Sequence, residues 1–256
     1  MDLGWFETSL DVKDIAASVA FYEKLGFQHV EGALELKTVT LNRGDCRLAL
    51  FQGHLDPPQT QLIFWQGDVE TIARDLAGKG LSFARGPSKS KDGESALLMD
   101  PDGHPLFFIN MPVQFVHYPD FAHASPTSRP RAGNESDRTL GWFELSLDVQ
   151  DIGRSVAFYD KLGFRMVDDS VERNVTLQNA DCRISLYQGY LDPAQTQLIF
   201  WQGDVEAIAR DLIAKGMTFA KGPSTDDKGT GAMLFDPDGH PLYFVNIRGV
   251  RRRGPV

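Results

Sequence analysis

The sequence predicts an α+β fold built as two tandem copies of one domain, each copy made of two βαβββ modules. Three observations predict it. The first is a long internal repeat. LGWFETSLDVKDIAASVAFYEKLGF at residues 3–27 returns as LGWFELSLDVQDIGRSVAFYDKLGF at 140–164. QTQLIFWQGDVE at 59–70 returns unchanged at 195–206, and DPDGHPL at 100–106 returns at 236–242. A repeat this long copies a whole domain, where a solenoid unit would recur every 20–50 residues or so. The second observation is strand-type alternation that reappears at matching places. The third is a pair of helix-type apolar stripes in each copy. A chain of 256 residues then holds two domains of roughly 110 residues each.

The elements follow in order. Residues 5–12 alternate, with Phe6, Leu10 and Val12 on one face and Trp5, Glu7, Ser9 and Asp11 on the other. The second copy sharpens the pattern: Phe143, Leu145, Leu147 and Val149 face one way, and Trp142, Glu144, Ser146 and Asp148 the other. Ile15, Val19, Phe21, Tyr22 and Leu25 stripe a helix over 14–25, which Gly26 is placed to end. Strands are expected at 37–42 and 47–52 around a turn at 43–45. The second module repeats this order, with a strand at 61–66 and a helix over 69–79 carrying Ile72, Ala73 and Leu76 before Gly80. Strands at 81–84, 94–99 and 105–110 complete it, the last two joined by the tight turn Asp100-Pro-Asp-Gly-His104. Polar loops at 88–93 and 224–231 read as hairpin connections, with lids over a site as the alternative. The expected division is domain one at 1–111, a linker rich in Pro, Ser and Ala at 112–139, domain two at 140–248, and a basic tail at 249–256.

Composition narrows the function. Hydrophobic residues make up 42%, enough for packed cores. A net charge of −9 argues against a nucleic-acid binder, which needs clustered Lys and Arg. The basic run of Arg248, Arg251, Arg252 and Arg253 reads as a solvated tail. Cys46 and Cys182 occupy matching strand positions and read as core thiols. The start of the sequence lacks the basic and apolar regions of a signal peptide, and no run of about 18 apolar residues suggests a membrane span. A cytoplasmic protein is the expectation.

A first strand, then Asp-Ile-x-x-Ser-Val-Ala-Phe-Tyr-x-Lys-Leu-Gly-Phe, then a closing Asp-Pro-Asp-Gly-His strand, resemble the vicinal oxygen chelate superfamily. This is the group of glyoxalases, bleomycin-resistance proteins and extradiol dioxygenases. The resemblance covers both copies nearly end to end. It implies tandem glyoxalase/bleomycin-resistance-type domains whose sheets curl into ligand-holding cups, formed within a copy or by exchange of modules between copies. The fused pair then looks like a covalent homodimer.

In the metalloenzymes of this group, four His, Glu or Gln ligands line the cup, one on the first strand and one on a later strand of each module. Carried onto this sequence, the first-strand positions are Glu7 (Glu144) and Gln61 (Gln197). The later positions fall at Ala49 or Phe51 (Ser185 or Tyr187) and at Phe107 (Tyr243). One carboxylate and one amide hold a divalent cation poorly, so no metal and no other cofactor is expected. His104 and His240 read as decorations of the turn.

Strand parity then gives the expected cup lining. In the first copy it is Trp5, Glu7, Ser9, Arg47, Phe51, Gln61, Trp65 and Phe107; in the second, Trp142, Glu144, Ser146, Arg183, Tyr187, Gln197, Trp201 and Tyr243. Arg47 is a candidate partner for Glu7 from an adjoining strand. An aromatic pocket with a few polar groups suits a small molecule. The leading expectation is a metal-independent binding protein of the bleomycin-resistance type, sequestering an aromatic or cationic ligand. The alternatives are a diverged glyoxalase-like lyase or isomerase using Glu7 or Glu144 as base, and a structural scaffold with filled cups.

Overall fold

The computed structural model describes residues 3–44, 46–55, 59–91, 93–110, 140–171, 173–189, 191 and 195–248. The expected linker and the expected basic tail lie outside the described residues, as do the side chains of Trp5, Trp142 and Asp168.

The first copy runs β1 (Gly4–Asp11), α1 (Ile15–Lys24), β2 (Gln28–Ala33), β3 (Thr38–Arg43), β4 (Cys46–Phe51), β5 (Gln61–Gln66), α2 (Val69–Gly78), β6 (Arg85–Ser90), β7 (Gly93–Met99) and β8 (Pro105–Asn110). The second runs β9 (Gly141–Asp148), α3 (Ile152–Lys161), β10 (Arg165–Val171), β11 (Asn174–Asn179), β12 (Cys182–Tyr187), β13 (Gln197–Gln202), α4 (Val205–Ala214), β14 (Lys221–Thr225), β15 (Gly229–Phe235) and β16 (Pro241–Ile247). Each copy closes its own eight-stranded sheet, in the order β2-β3-β4-β1-β5-β8-β7-β6 and β10-β11-β12-β9-β13-β16-β15-β14. Modules therefore pair within a copy. The joint is the antiparallel pair β1–β5, where Trp5 lies opposite Trp65, Glu7 opposite Ile63 and Ser9 opposite Gln61.

Local chemistry sets the helix ends. The Asp14 carboxylate accepts from the backbone N–H groups of Ala16 and Ala17 at 3.0 and 3.1 Å, satisfying donors that a first turn leaves open. Asp68, Asp151 and Asp204 cap the other three helices in the same way. Gly26, at φ 87°, takes the left-handed conformation that ends α1.

The structure corrects two strand expectations. The segment 81–84 is not a strand; the strand begins after it, at β6. The strand β2, with its counterpart β10, is the strand of the βαβββ order to which the sequence reading assigned no residues. β2 and β6 are the two edges of the sheet. β6 is exposed along its whole length, so no buried face imposes an alternating pattern, and an edge tolerates Pro87. The segments read as loops or lids at 88–93 and 224–231 are largely β6, β14 and β15 with their hairpin connections.

The apolar face of each sheet carries its helices and also meets the other copy. One hydrophobic cluster spans both copies, and Phe27 meets Phe200 edge-on, as Phe64 meets Phe164. Cys46 and Cys182 are buried free thiols, and burial pushes the Cys182 thiol well above the ordinary cysteine value. In the folded chain neither thiol should react with a colorimetric thiol reagent over minutes, and both should react in denaturing urea; rapid native labelling would contradict this packing.

A polar latch joins the copies. The Asp236 carboxylate, in the second Asp-Pro-Asp-Gly-His turn, accepts from the Tyr22 hydroxyl of α1 (2.9 Å), from His240 Nδ1 (2.7 Å) and from two backbone N–H groups of its own turn. Asp238 accepts from the Lys13 backbone N–H and the Ser18 hydroxyl, each at 2.8 Å. The reciprocal set joins Asp100 to Tyr159 (3.0 Å) and His104 (2.8 Å), and Asp102 to Ser155 (2.9 Å). His104 and His240 thus orient the latch through their carboxylates.

Candidate functional site

Alternation along β1 sends Phe6 and Leu10 to the core and Glu7 and Ser9 to the opposite face. The neighbouring strand β4 is parallel to β1, with Thr8 beside Leu48 and Ser9 beside Ala49, which sets Arg47 next to Glu7. Arg47 Nε donates to Glu7 Oε2 at 2.8 Å, and Trp65 Nε1 donates to Glu7 Oε1 at 3.1 Å. The far side of the same guanidinium donates to Glu31 Oε2 at 3.1 Å. Glu7 is 2% exposed and Arg47 7%. Burial raises the Glu7 carboxyl above the ordinary glutamate value, although Arg47 and the Trp65 N–H pull it down.

The second copy builds the same core. Arg183 Nε donates to Glu144 Oε2 at 2.7 Å, and Trp201 Nε1 to Glu144 Oε1 at 3.1 Å. Ser185, standing where the first copy has Ala49, adds a bond of 2.5 Å to Glu144 Oε1 and is itself bonded to Thr176 at 2.7 Å. Gln61 and Gln197 are buried beside these clusters. Phe51, Trp65, Phe107, Tyr187, Trp201 and Tyr243 are half-buried, and the Arg85 guanidinium lies 5.8 Å from the Phe107 ring centre. Ser9 and Ser146 hydroxyls are fully buried and have no hydrogen-bond partner among the described residues.

Sequence reasoning missed Glu31, because it sits on the unrecognised edge strand β2. It also missed the latch, whose carboxylates looked like ordinary turn residues. The only advance signal for the latch was that the same turn and the same Phe-Tyr helix occur in both copies.

The cup residues do not fit the family's divalent cation. Both Glu7 oxygens are engaged by N–H donors, and the Arg47 guanidinium bridges the two carboxylates that a cation would have to share. The remaining ligand positions hold Gln61, Ala49 or Phe51, and Phe107. Among the described residues, no three His, Cys, Asp or Glu side chains converge as metal ligands.

Two eight-stranded sheets, each joined through its module-leading strands and each carrying two α-helices, define a tandem α+β protein. The chain belongs to the Glyoxalase/Bleomycin resistance protein/Dioxygenase superfamily, whose model matches residues 6–108 and 139–244. No match was found among curated proteins. Among solved structures, the chain is similar to the Mn(II)-bound glyoxalase from Novosphingobium aromaticivorans (18% identity, TM-score 0.62, covering 94% of this chain and 80% of that one). It is also similar to homoprotocatechuate 2,3-dioxygenase from Arthrobacter globiformis (18%, 0.60, 94% and 78%). A third is the 2,3-dioxygenase LapB from Pseudomonas sp. KL28 (14%, 0.61, 97% and 93%). At these identities the likeness is one of fold.

These neighbours correct the functional expectation. The sequence pointed to metal-independent sequestration of the bleomycin-resistance type; the similar structures are a Mn(II)-bound glyoxalase and 2,3-dioxygenases, proteins named for catalysis. The two alternatives are not favoured either. Glu7 and Glu144 have both oxygens engaged as acceptors, which suits holding a partner better than abstracting a proton. No helix among the described residues is long and apolar enough to cross a membrane.

Proposed function

We propose that the chain is an enzyme acting on a small, oxygen-bearing organic substrate in its cups, through a reaction that develops negative charge on oxygen. The observation that carries this reading is the buried carboxylate–arginine–tryptophan cluster built at the same place in both copies. Burying a charged pair costs desolvation that apolar filler avoids, so such a cluster is a poor choice for packing alone. A fixed guanidinium in a partly desolvated cleft is well suited to stabilise an oxyanion, because its orientation costs no reorganisation during reaction. In this reading the acting guanidinium is that of Arg183, which Glu144 aims as a positioning residue, Arg47 being engaged by both Glu7 and Glu31, and the half-buried aromatics hold the substrate's apolar part. The domains are the two copies joined by the segment 112–139. No step is routed through a metal, since the donors do not fit one.

The test is a turnover screen of purified chain against catechols and α-oxoaldehyde–thiol adducts, with added divalent cations and with chelator, followed by absorbance. Turnover is expected with at least one substrate, falling at least 100-fold in Arg183→Gln that keeps its fold by circular dichroism. Absence of turnover across the panel in both conditions, or turnover untouched by that substitution, would overturn the reading.

A further inference from the structure

We propose that the second cup alone binds an organic carboxylate or similar planar oxyanion, seated on the terminal nitrogens of Arg183. This deepens the reading above and rests on it for the claim that the bound molecule is a substrate.

The two cups share a design but differ at the guanidinium. In the first cup Arg47 is buried and spent at both ends, on Glu7 and on Glu31. Two carboxylates around one cation leave a surplus negative charge that repels an incoming anion. In the second cup Arg183 is engaged, among the described residues, through Nε alone, by Glu144. Its terminal nitrogens have no hydrogen-bond partner among the described residues, and its side chain is 18% exposed against 7% for Arg47. The register position of Glu31 is taken by the shorter Asp168, whose side chain lies outside the described residues.

The rest of the second cup changes in the same direction. Ala49, Phe51 and Phe107 become Ser185, Tyr187 and Tyr243. Ser185 takes up a Glu144 oxygen, so the carboxylate is held by three donors and leaves the outer edge of Arg183 available. Tyr243 reaches over Gly231 of the neighbouring strand, where an added Cβ would sit 3.5 Å from the Tyr243 hydroxyl oxygen, and the first copy has Ser95 at the position of that glycine. Two residues along β9 from Glu144, on the same face of the strand, the buried Ser146 hydroxyl has no partner among the described residues. A buried hydroxyl left unpaired costs free energy that a ligand acceptor can recover. Ser9 shares this property; what the first cup lacks is the free guanidinium edge. The geometry of an arginine fork matches a carboxylate, and Trp201 and Tyr243 supply aromatic walls, so an aromatic monocarboxylate is the fitting probe.

Benzoate titrated into the full chain by calorimetry, with tryptophan fluorescence alongside, tests this. One site per chain is expected. Arg183→Gln should weaken it at least tenfold, Arg183→Lys less, and Ser146→Ala several-fold. Should Arg183→Gln fail to fold, the wild-type stoichiometry and Ser146→Ala carry the test. Two equivalent sites, no binding to folded protein, or binding indifferent to both positions overturns the proposal. One-site binding in a protein with no turnover sinks the enzyme reading and leaves the anion site standing. Turnover that saturating benzoate does not inhibit sinks the anion site as substrate site and leaves the enzyme reading standing.

Discussion

Replacing Asp236 with alanine is expected to cost about 3 kcal/mol and to lower the melting temperature by roughly 6–12 °C, measured by calorimetry on the full chain. The carboxylate accepts four hydrogen bonds, and one comes from the other copy. Its removal strands the Tyr22 hydroxyl, which is fully buried and whose own ionisation burial and the neighbouring Asp236 charge suppress, so it keeps its proton and loses the acceptor for it. Asp100→Ala should behave alike through Tyr159. Tyr22→Phe should cost less, about 1–2 kcal/mol, because Asp236 keeps three donors.

The latch also has a pH signature. Burial pushes the Asp100 and Asp236 carboxyls up, but the imidazoles of His104 and His240 and the backbone N–H groups of the turns outweigh it, and both sit below the ordinary aspartate value. A depressed carboxyl contributes stability that is full above its unfolded value, about 3.9, and is lost as pH falls through the folded value. The stability gap between wild type and Asp236→Asn, read from urea midpoints, should therefore hold from pH 7 to 5 and narrow below 4. A gap that widens in acid would contradict the assignment.

What the sequence made legible follows from where burial imposes a pattern. The central strands β1, β5 and β8 bury one face fully, so alternation separated Phe6 and Leu10 from Glu7 and Ser9, and parity placed Arg47 beside Glu7. The edge strands β2 and β6 bury little, so QHVEGA and RGPSKS carry no such signal, and Glu31 went unseen with its strand. The latch was illegible for a different reason. Tyr22 and Asp236 are 214 residues apart, and nothing local in either segment says that a turn of one copy docks on a helix of the other. The functional expectation failed at a third level: missing ligands say which chemistry the cup does not support, and the step from there to mere sequestration had no residue behind it.

Arg47→Ala is expected to destabilise the chain by about 3–5 kcal/mol, because it leaves the Glu7 carboxylate buried with a single Trp65 N–H. Arg183→Ala should cost less, about 1–2 kcal/mol, since Glu144 keeps Ser185 and Trp201 and the lost side chain was partly exposed. Urea denaturation of the two variants measures the difference, and equal losses would refute the asymmetry of the cups. The pH dependence of the first variant has a different origin from that of the latch, although both deficits narrow in acid. Glu7 already has a raised carboxyl in the folded state, and losing Arg47 raises it further. A carboxyl raised on folding favours the folded state most below its unfolded value, about 4.3, and that advantage is lost as pH rises through the folded value. The deficit of Arg47→Ala should thus be largest near neutrality and shrink in acid. Glu7→Met combined with Arg47→Met should recover much of the loss, since an apolar pair of similar volume removes the buried charge along with its partner. If that double variant is as stable as wild type, the charged cluster is not there to hold the sheet together, and its presence in the second cup, where Arg183 is engaged through Nε by Glu144, is explained by what the arginine does to a bound molecule.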